Sequence, residues 1–235
     1  MNEIGRLLAI LAHPDDESYR AGGTLALLAQ KGVQVWVLCA TRGELGIPDL
    51  GPEETGAIRQ TEMECACRAL GINPPLFLDY RDGTLAQAEE ERAVGQVVQV
   101  IRKLRPEVLL TWPPSGVSGH PDHVAVSKWT DKAIQQAADP MFYPAYDLAH
   151  HAVDSLYQIV MPSSLAEIMG MPHLSTVPDE DVTLTMDVSP AWDAKLAAIE
   201  CHKSQISSSP ITRDSIERQR LFLGTEYFLK VKIQT

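Results

Sequence analysis

No stretch of this 235-residue chain approaches the roughly 18 consecutive apolar positions of a membrane-spanning helix, so no span is expected. The N-terminal apolar run is too short for a signal h-region with a cleavage site, and it runs straight into His13. Basic residues are scarce: 20 Lys and Arg stand against 31 Asp and Glu, a formal net charge of −11, and they form no stripe. A nucleic-acid or anionic-membrane partner is therefore disfavoured, and a small or neutral substrate is expected. Only four cysteines occur, Cys39, Cys65, Cys67 and Cys201, without a CxxC pair, which reads as reduced core thiols in a cytoplasmic protein. Internal repeats and domain linkers are lacking, and no GxGxxG turn follows the first apolar run, which argues against a dinucleotide-binding module.

What is there suffices for one large domain over residues 1–235, with 45% hydrophobic and 22% charged residues. Strand-length apolar runs at 6–12, 34–40, 76–78, 108–112, 156–161 and 183–188 alternate with helical patterns at 17–31, 55–70, 88–104, 123–138 and 191–204. Gly32, Gly71 and Pro106 stop three of those helices. This alternation predicts an α/β fold, a doubly wound, mostly parallel sheet with helices on both faces and right-handed crossovers. Residues 139–181 are less regular and rich in proline and methionine, a composition suited to a lid over a site or to a surface or interface insertion.

The chemistry concentrates at two strand ends. The run Leu7–Ala12 stops at His13-Pro14-Asp15-Asp16-Glu17, and the fourth run leads through a Gly/Pro loop to His120-Pro121-Asp122-His123. Ligands of doubly wound sheets bind beyond the carboxyl ends of the strands where strand order reverses, and in the order 3-2-1-4-5 strands one and four are neighbours there. Two His/Asp clusters about 110 positions apart are thus predicted to meet in one crevice. Two histidines and a carboxylate form a three-ligand hydrolytic metal site with a position left open, and His13, Asp16 and His123 are the ligands chosen. Asp15 is then the general base, His120 the group that stabilises the oxyanion or protonates the leaving amine, and Asp122 a partner orienting a histidine. Zn2+ is the expected ion, and the same donors suit Fe2+. An iron(II) oxygenase is the alternative from another class, although it has no use for Asp15 as a base.

Ala12-His13-Pro14-Asp15-Asp16-Glu17, Gly22-Gly23-Thr24-Leu25-Ala26, Thr41-Arg42-Gly43-Glu44, Gly119-His120-Pro121-Asp122-His123 and His202-Lys203-Ser204-Gln205 together resemble the LmbE/PIG-L family of metal-dependent N-deacetylases. The resemblance covers most of residues 6–130 and a C-terminal patch. It implies a Rossmann-like fold and removal of the acetyl group from an N-acetylglucosamine-type small molecule or conjugate. It assigns zinc to His13, Asp16 and His123, the base to Asp15 and transition-state stabilisation to His120, with sugar contacts at Arg59 and Asp82 and Glu44 near the pocket. A metal-dependent amidase on a non-sugar amide is the alternative within hydrolases, and a homo-oligomer is compatible with this reading. Tyr19-Arg20 departs from the family pattern, where smaller or apolar residues precede the Gly-Gly pair. His150, His151 and His173 lie outside the motifs and read as structural or solvated. His202 reads first as a helix-surface histidine, and Arg59 has an ordinary helix ion pair as its bland alternative.

Overall fold

The computed structural model describes residues 4–207 and 209–233. Seven strands form one sheet in the order β3-β2-β1-β4-β5-β7-β6. Strands β1 (Arg6–Leu11), β2 (Gln34–Thr41), β3 (Leu76–Tyr80), β4 (Val108–Thr111) and β5 (Ser155–Ile159) are parallel. β6 (Leu184–Asp187) and β7 (Thr225–Val231) close one edge in antiparallel pairing. The first five strands and β6 match the expected runs, whereas β7 carries Glu226 and Lys230 within its pattern and was not anticipated.

Helices cover both faces, and β1 shows why its run is continuously apolar rather than alternating. Leu7, Ala9 and Leu11 pack on one side with α2 (Gly22–Gln30), α3 (Pro52–Leu70) and α7 (Trp192–Cys201). Leu8 and Ile10 pack on the other with α4 (Glu90–Leu104) and α5 (Pro121–Ala138). A strand buried on both faces has no solvated side to mark with polar residues.

The first helical pattern is interrupted. It splits at Ala21 into α1 (Asp16–Arg20) and α2, because Ala21 leaves helical geometry with φ −142°. The Gly22-Gly23 pair follows from what lies above it: a Cβ on Gly23 would sit 2.3 Å from the Val188 Cβ, so only glycine lets the two segments approach. The amides of Gly23 and Thr24 then donate to the Glu226 carboxylate of β7, at 2.9 and 2.8 Å, and Lys195 of α7 donates to the same group at 2.7 Å. Lys195 and Glu226 are almost fully buried. Opposite charge and two N–H donors compensate for desolvation there.

One expectation needs correction. Cys65 and Cys201 are joined in a disulfide with Cα atoms 5.7 Å apart, and only Cys39 and Cys67 remain free and buried. The two partners are 136 residues apart and meet because α3 packs along α7, a proximity that cysteine spacing does not encode. The cysteines therefore no longer argue for a reducing compartment. Residues 139–181 divide into two parts. Arg102 of α4 donates to the carbonyls of Gln136, Ala137, Asp139 and Phe142, tying the first part to the α4/α5 face. The second part, with α6 (Ser163–Met169), turns Met161, Met171 and Leu174 towards the carboxyl end of the sheet. Among the described residues no helix is long and apolar enough to cross a membrane.

Candidate metal-dependent active site

The strand-end turn is built by its own carboxylate. Asp16 Oδ2 accepts from the amides of Ala12 and His13 at 3.1 and 3.0 Å, which closes the chain over the end of β1 and leaves Oδ1 facing His123 Nε2 at 3.5 Å. Asp15 sits at φ 103°, a left-handed conformation that an L residue adopts only when held there. Three contacts hold it. Glu17 Oε2 accepts from its amide at 3.0 Å, Arg59 donates to the carbonyl of Pro14, and Arg59 Nη2 donates to Asp15 Oδ2 at 2.9 Å. Arg59 also donates to the Gly43 carbonyl at 3.1 Å, and Gly43 at φ 67° leaves it room, since a Cβ there would lie 2.0 Å from Arg59 Nη1.

The second cluster arrives from β4. His120 caps α5, its Nδ1 accepting from the Asp122 amide at 3.2 Å. His123 is fixed by its Nδ1 to the Gly116 carbonyl at 3.1 Å and by stacking on Trp112 at 4.2 Å and 5°. The His13 ring lies 4.8 Å from that of His120 and 5.3 Å from that of His123, so the two motifs do meet. His13 Nε2 faces Asp122 Oδ2 and Asp82 Oδ1, both at 3.2 Å, and its Nδ1 is 3.9 Å from Asp16 Oδ2. Fully buried Asp122 also accepts from the amides of Gly83 and Leu85. Asp82 accepts from Leu45, and Glu44 in turn accepts from the Asp82 amide at 3.1 Å.

These contacts differ between the acidic residues and the imidazoles. Asp82 and Asp122 already receive backbone donors and take the His13 Nε2–H, which directs the Nδ1 lone pair inward, the arrangement in which a carboxylate orients a metal-binding imidazole. His13, His120 and His123 offer nitrogen atoms within 4.8 Å of one another, and Asp16 Oδ1 faces the same space. The electrostatics also favour a cation. Although burial opposes its charge, His13 is pushed up to about 10 by its hydrogen bonds to Asp122 and Asp82 and by the Asp16 carboxylate. Asp16 is held far below the usual carboxylate range against its own burial, by His123 and then His13. A pocket that concentrates positive charge on one imidazole amid carboxylates fits a divalent ion, which releases that proton on binding.

Burial drives the Asp15 carboxyl up to about 6, with Arg59 opposing the shift. Burial and the neighbouring His13 and His123 push His120 below its ordinary value. Arg59, Asp82 and Glu44 do not line the cavity that contains Asp15, Asp16 and His123; Arg59 and Asp82 are buried behind Asp15 and His13, and Glu44 borders an adjacent cavity of about 670 Å3 with Arg42, Gln60 and Arg81. His202 is fully buried, with Nε2 2.7 Å from Glu17 Oε1, so the surface reading of this histidine is replaced by a role beneath Asp15. Its burial depends on α7 returning over α1, which no local pattern around residue 202 reveals. Glu17 is the site residue that motif reading passed over, and its place inside the first His/Asp motif was the available signal.

Residues 8–134 match the model of the PIG-L family, described as GlcNAc-PI de-N-acetylase. This chain belongs to the PIG-L family. Curated relatives include a 1D-myo-inositol 2-acetamido-2-deoxy-alpha-D-glucopyranoside deacetylase of Kineococcus radiotolerans, 32% identical across 88% of this chain and 70% of the relative. The enzyme of that name from Acidothermus cellulolyticus is 31% identical over 97% of this chain and 89% of its own. Among solved structures, an N,N'-diacetylchitobiose deacetylase from Pyrococcus horikoshii superposes with a TM-score of 0.78 at 22% identity, covering 97% of this chain and 84% of that one. That likeness bears on the fold, which the PIG-L chain shares along nearly its whole length.

Proposed function

We propose that this PIG-L member is a metal-dependent hydrolase that removes the acetyl group from an N-acetylglucosamine-type small molecule or conjugate. The observation that carries the reading is the convergence of His13, Asp16, His120 and His123 beside Asp15, a half-buried carboxylate that opens onto the same cavity and is held in a left-handed conformation. The relatives' named substrates, inositol glycosides of an acetamido sugar, support the substrate class.

His13 through Nδ1, Asp16 through Oδ1 and His123 through Nε2 are the donors that would hold the ion, Zn2+ or Fe2+. Such an ion supplies Lewis acidity, polarising the acetyl carbonyl and acidifying water. Asp15 takes the proton of the attacking water; a carboxyl raised to about 6 is ionised at neutral pH yet basic enough to do so. Arg59 aims that carboxylate and keeps it ionised against burial. His120 is neutral, and because its Nδ1 accepts from the Asp122 amide the ring proton is on Nε2, where it donates to the developing oxyanion or to the departing amine. Asp122 and Asp82 hold the His13 ring and Arg59 supports Asp15; since Arg59, Asp82 and Glu44 do not line the cavity beside Asp15, their part in recognition is to fix the residues that do.

The test is acetate release by the Zn2+- or Fe2+-loaded protein from N-acetylglucosamine conjugates and from a simple acetamide without hydroxyls. Preference for the sugars is expected, and equal turnover of both reduces the reading to a generic amidase. His13→Ala and His123→Ala should each lose the ion by elemental analysis. Full occupancy in both removes the ligand assignment.

A further inference from the structure

Asp15, Asp16 and His123 open onto a cavity of about 430 Å3 whose far wall includes Arg20, Met161, Leu174 and Phe222. Tyr19, Ser118, His173, Gln205 and Ser209 also line the cavity, and Arg20 is the one Lys or Arg among its lining residues. Its guanidinium lies 4.9 Å above the Phe222 ring, and its polar contact is from Nη2 to the Met161 Sδ at 4.0 Å, a weak acceptor. Among the described residues no carboxylate lies within ion-pair distance of it, in contrast to Arg42, Arg59, Lys132, Lys195 and Arg218. Glu226 exerts a field on Arg20, but that carboxylate is spent on Lys195 and on the amides of Gly23 and Thr24. The group of Arg20, Lys195 and Glu226 therefore keeps one positive charge uncompensated beside the cavity. Desolvation lowers Arg20 to about 10, which leaves it charged at neutral pH. A partly desolvated cation without an anion is costly to hold. A purely structural role at the C-terminus of α1 explains little, since that helix has five residues and a correspondingly small dipole.

Position supplies the second argument. Arg20 follows Asp16 by four residues on α1, so the two share a helix face with Arg20 about 6 Å further along the axis. An amino sugar whose acetamide meets Asp15 and Asp16 directs its far end along that face. Taking the deacetylase reading as given, we propose that Arg20 is a specificity residue that pairs with a carboxylate or phosphate carried by the substrate's aglycone. The net charge of −11 still disfavours a polyanion, whereas one anionic group on a small glycoside meets a single local cation. Of the expected small or neutral substrate, the small size stands, and one anionic group takes the place of neutrality.

The experiment compares three glycosides of N-acetylglucosamine with matched chains: propyl, 2-carboxyethyl and 2-phosphoethyl. The wild-type metal-loaded enzyme should show kcat/KM for at least one anionic glycoside about 10- to 100-fold above that for the propyl glycoside, the range for one charge-assisted hydrogen bond. Which anion leads identifies carboxylate or phosphate as the source. Arg20→Gln should bring the ratio close to 1, and Arg20→Lys should retain part of it. Calorimetry with the corresponding deacetylated glycosides should show Kd for the anionic one weakened by a similar factor in Arg20→Gln. Equal wild-type turnover of all three, or a preference that survives Arg20→Gln, overturns the assignment. Release of acetate from none of the three overturns the deacetylase reading instead, and the calorimetric comparison then decides the role of Arg20 alone.

Discussion

Replacing His202 by alanine strands the Glu17 carboxylate. In the wild type both side chains are fully buried, Nε2 lies 2.7 Å from Oε1, and Ser18 Oγ donates to the same oxygen at 2.6 Å. Burial alone pushes Glu17 up, and His202, by charge and hydrogen bond, brings it below its ordinary value. Removing one partner of a buried pair costs about 3–5 kcal/mol. A domain has only about 5–15 kcal/mol in total, so the variant should lose a large share of its stability in urea denaturation at pH 6.5. The loss should depend on pH with a definite sign. Without His202 the folded-state Glu17 pKa rises above its unfolded value, so the variant's penalty is smaller near pH 5, where the carboxyl takes a proton, and grows as the pH climbs. Between pH 5 and 6.5 the wild type is a steady reference. Glu17 is lowered and so remains ionised, and His202 is raised and retains its full contribution below its unfolded value near 6.5. The gap should therefore widen by up to about 2 kcal/mol over that interval, at about 1.36 kcal/mol per pH unit. Adding Glu17→Gln should recover much of the loss, because no buried charge is left. A single variant within about 1 kcal/mol of wild type, or a double variant no more stable than the single, refutes the buried-pair reasoning.

Asp15→Asn should lower kcat by roughly 10²-fold or more while elemental analysis shows the ion retained, and loss of the ion instead would make Asp15 a ligand. Gly43→Ala should push Arg59 off the Asp15 carboxylate and strain a left-handed residue, lowering kcat about tenfold or more, and an unchanged kcat removes Arg59 from the positioning of Asp15. Cys65→Ala combined with Cys201→Ala should lower stability by about 2–4 kcal/mol, with about 5 kcal/mol as the loop-entropy ceiling for a 136-residue separation. Equal melting of the oxidised wild type and the double variant would count against the crosslink.

The parallel strands and the junction of β1 with β4 were legible because each apolar run is local and bounded by Gly or Pro, and because strand order places the two His/Asp motifs side by side. That His13, Asp15 and Asp16 lie together was legible for the same reason, since three residues within four positions must share one turn. Pairings between distant elements that no strand-order rule or motif announces escaped. Glu226 looks like a solvent-facing acid until Lys195 and the amides at 23 and 24 surround it. His202 looks exposed until α7 lays it on Glu17. Arg59 offers five donors to a substrate on paper, and in the fold the carbonyls of Pro14 and Gly43 and the Asp15 carboxylate accept from both terminal nitrogens, while Nε is buried. Cys65 and Cys201 are legible as thiols and not as a pair, because the approach of α3 to α7 is a property of packing.

The grip of Glu226 on the amides of Gly23 and Thr24 spans about 200 residues of chain. During synthesis the helix that carries the first metal motif into place is made early, yet the carboxylate that fastens it emerges with the last strand. Until β7 inserts between β5 and β6, Lys195 and the start of α2 lack their shared anion. Fastening of the helix behind the first His/Asp motif is thus coupled to completion of the sheet edge, and a nascent chain stopped before residue 225 holds both motifs, side by side through β1 and β4, with the start of α2 not yet secured.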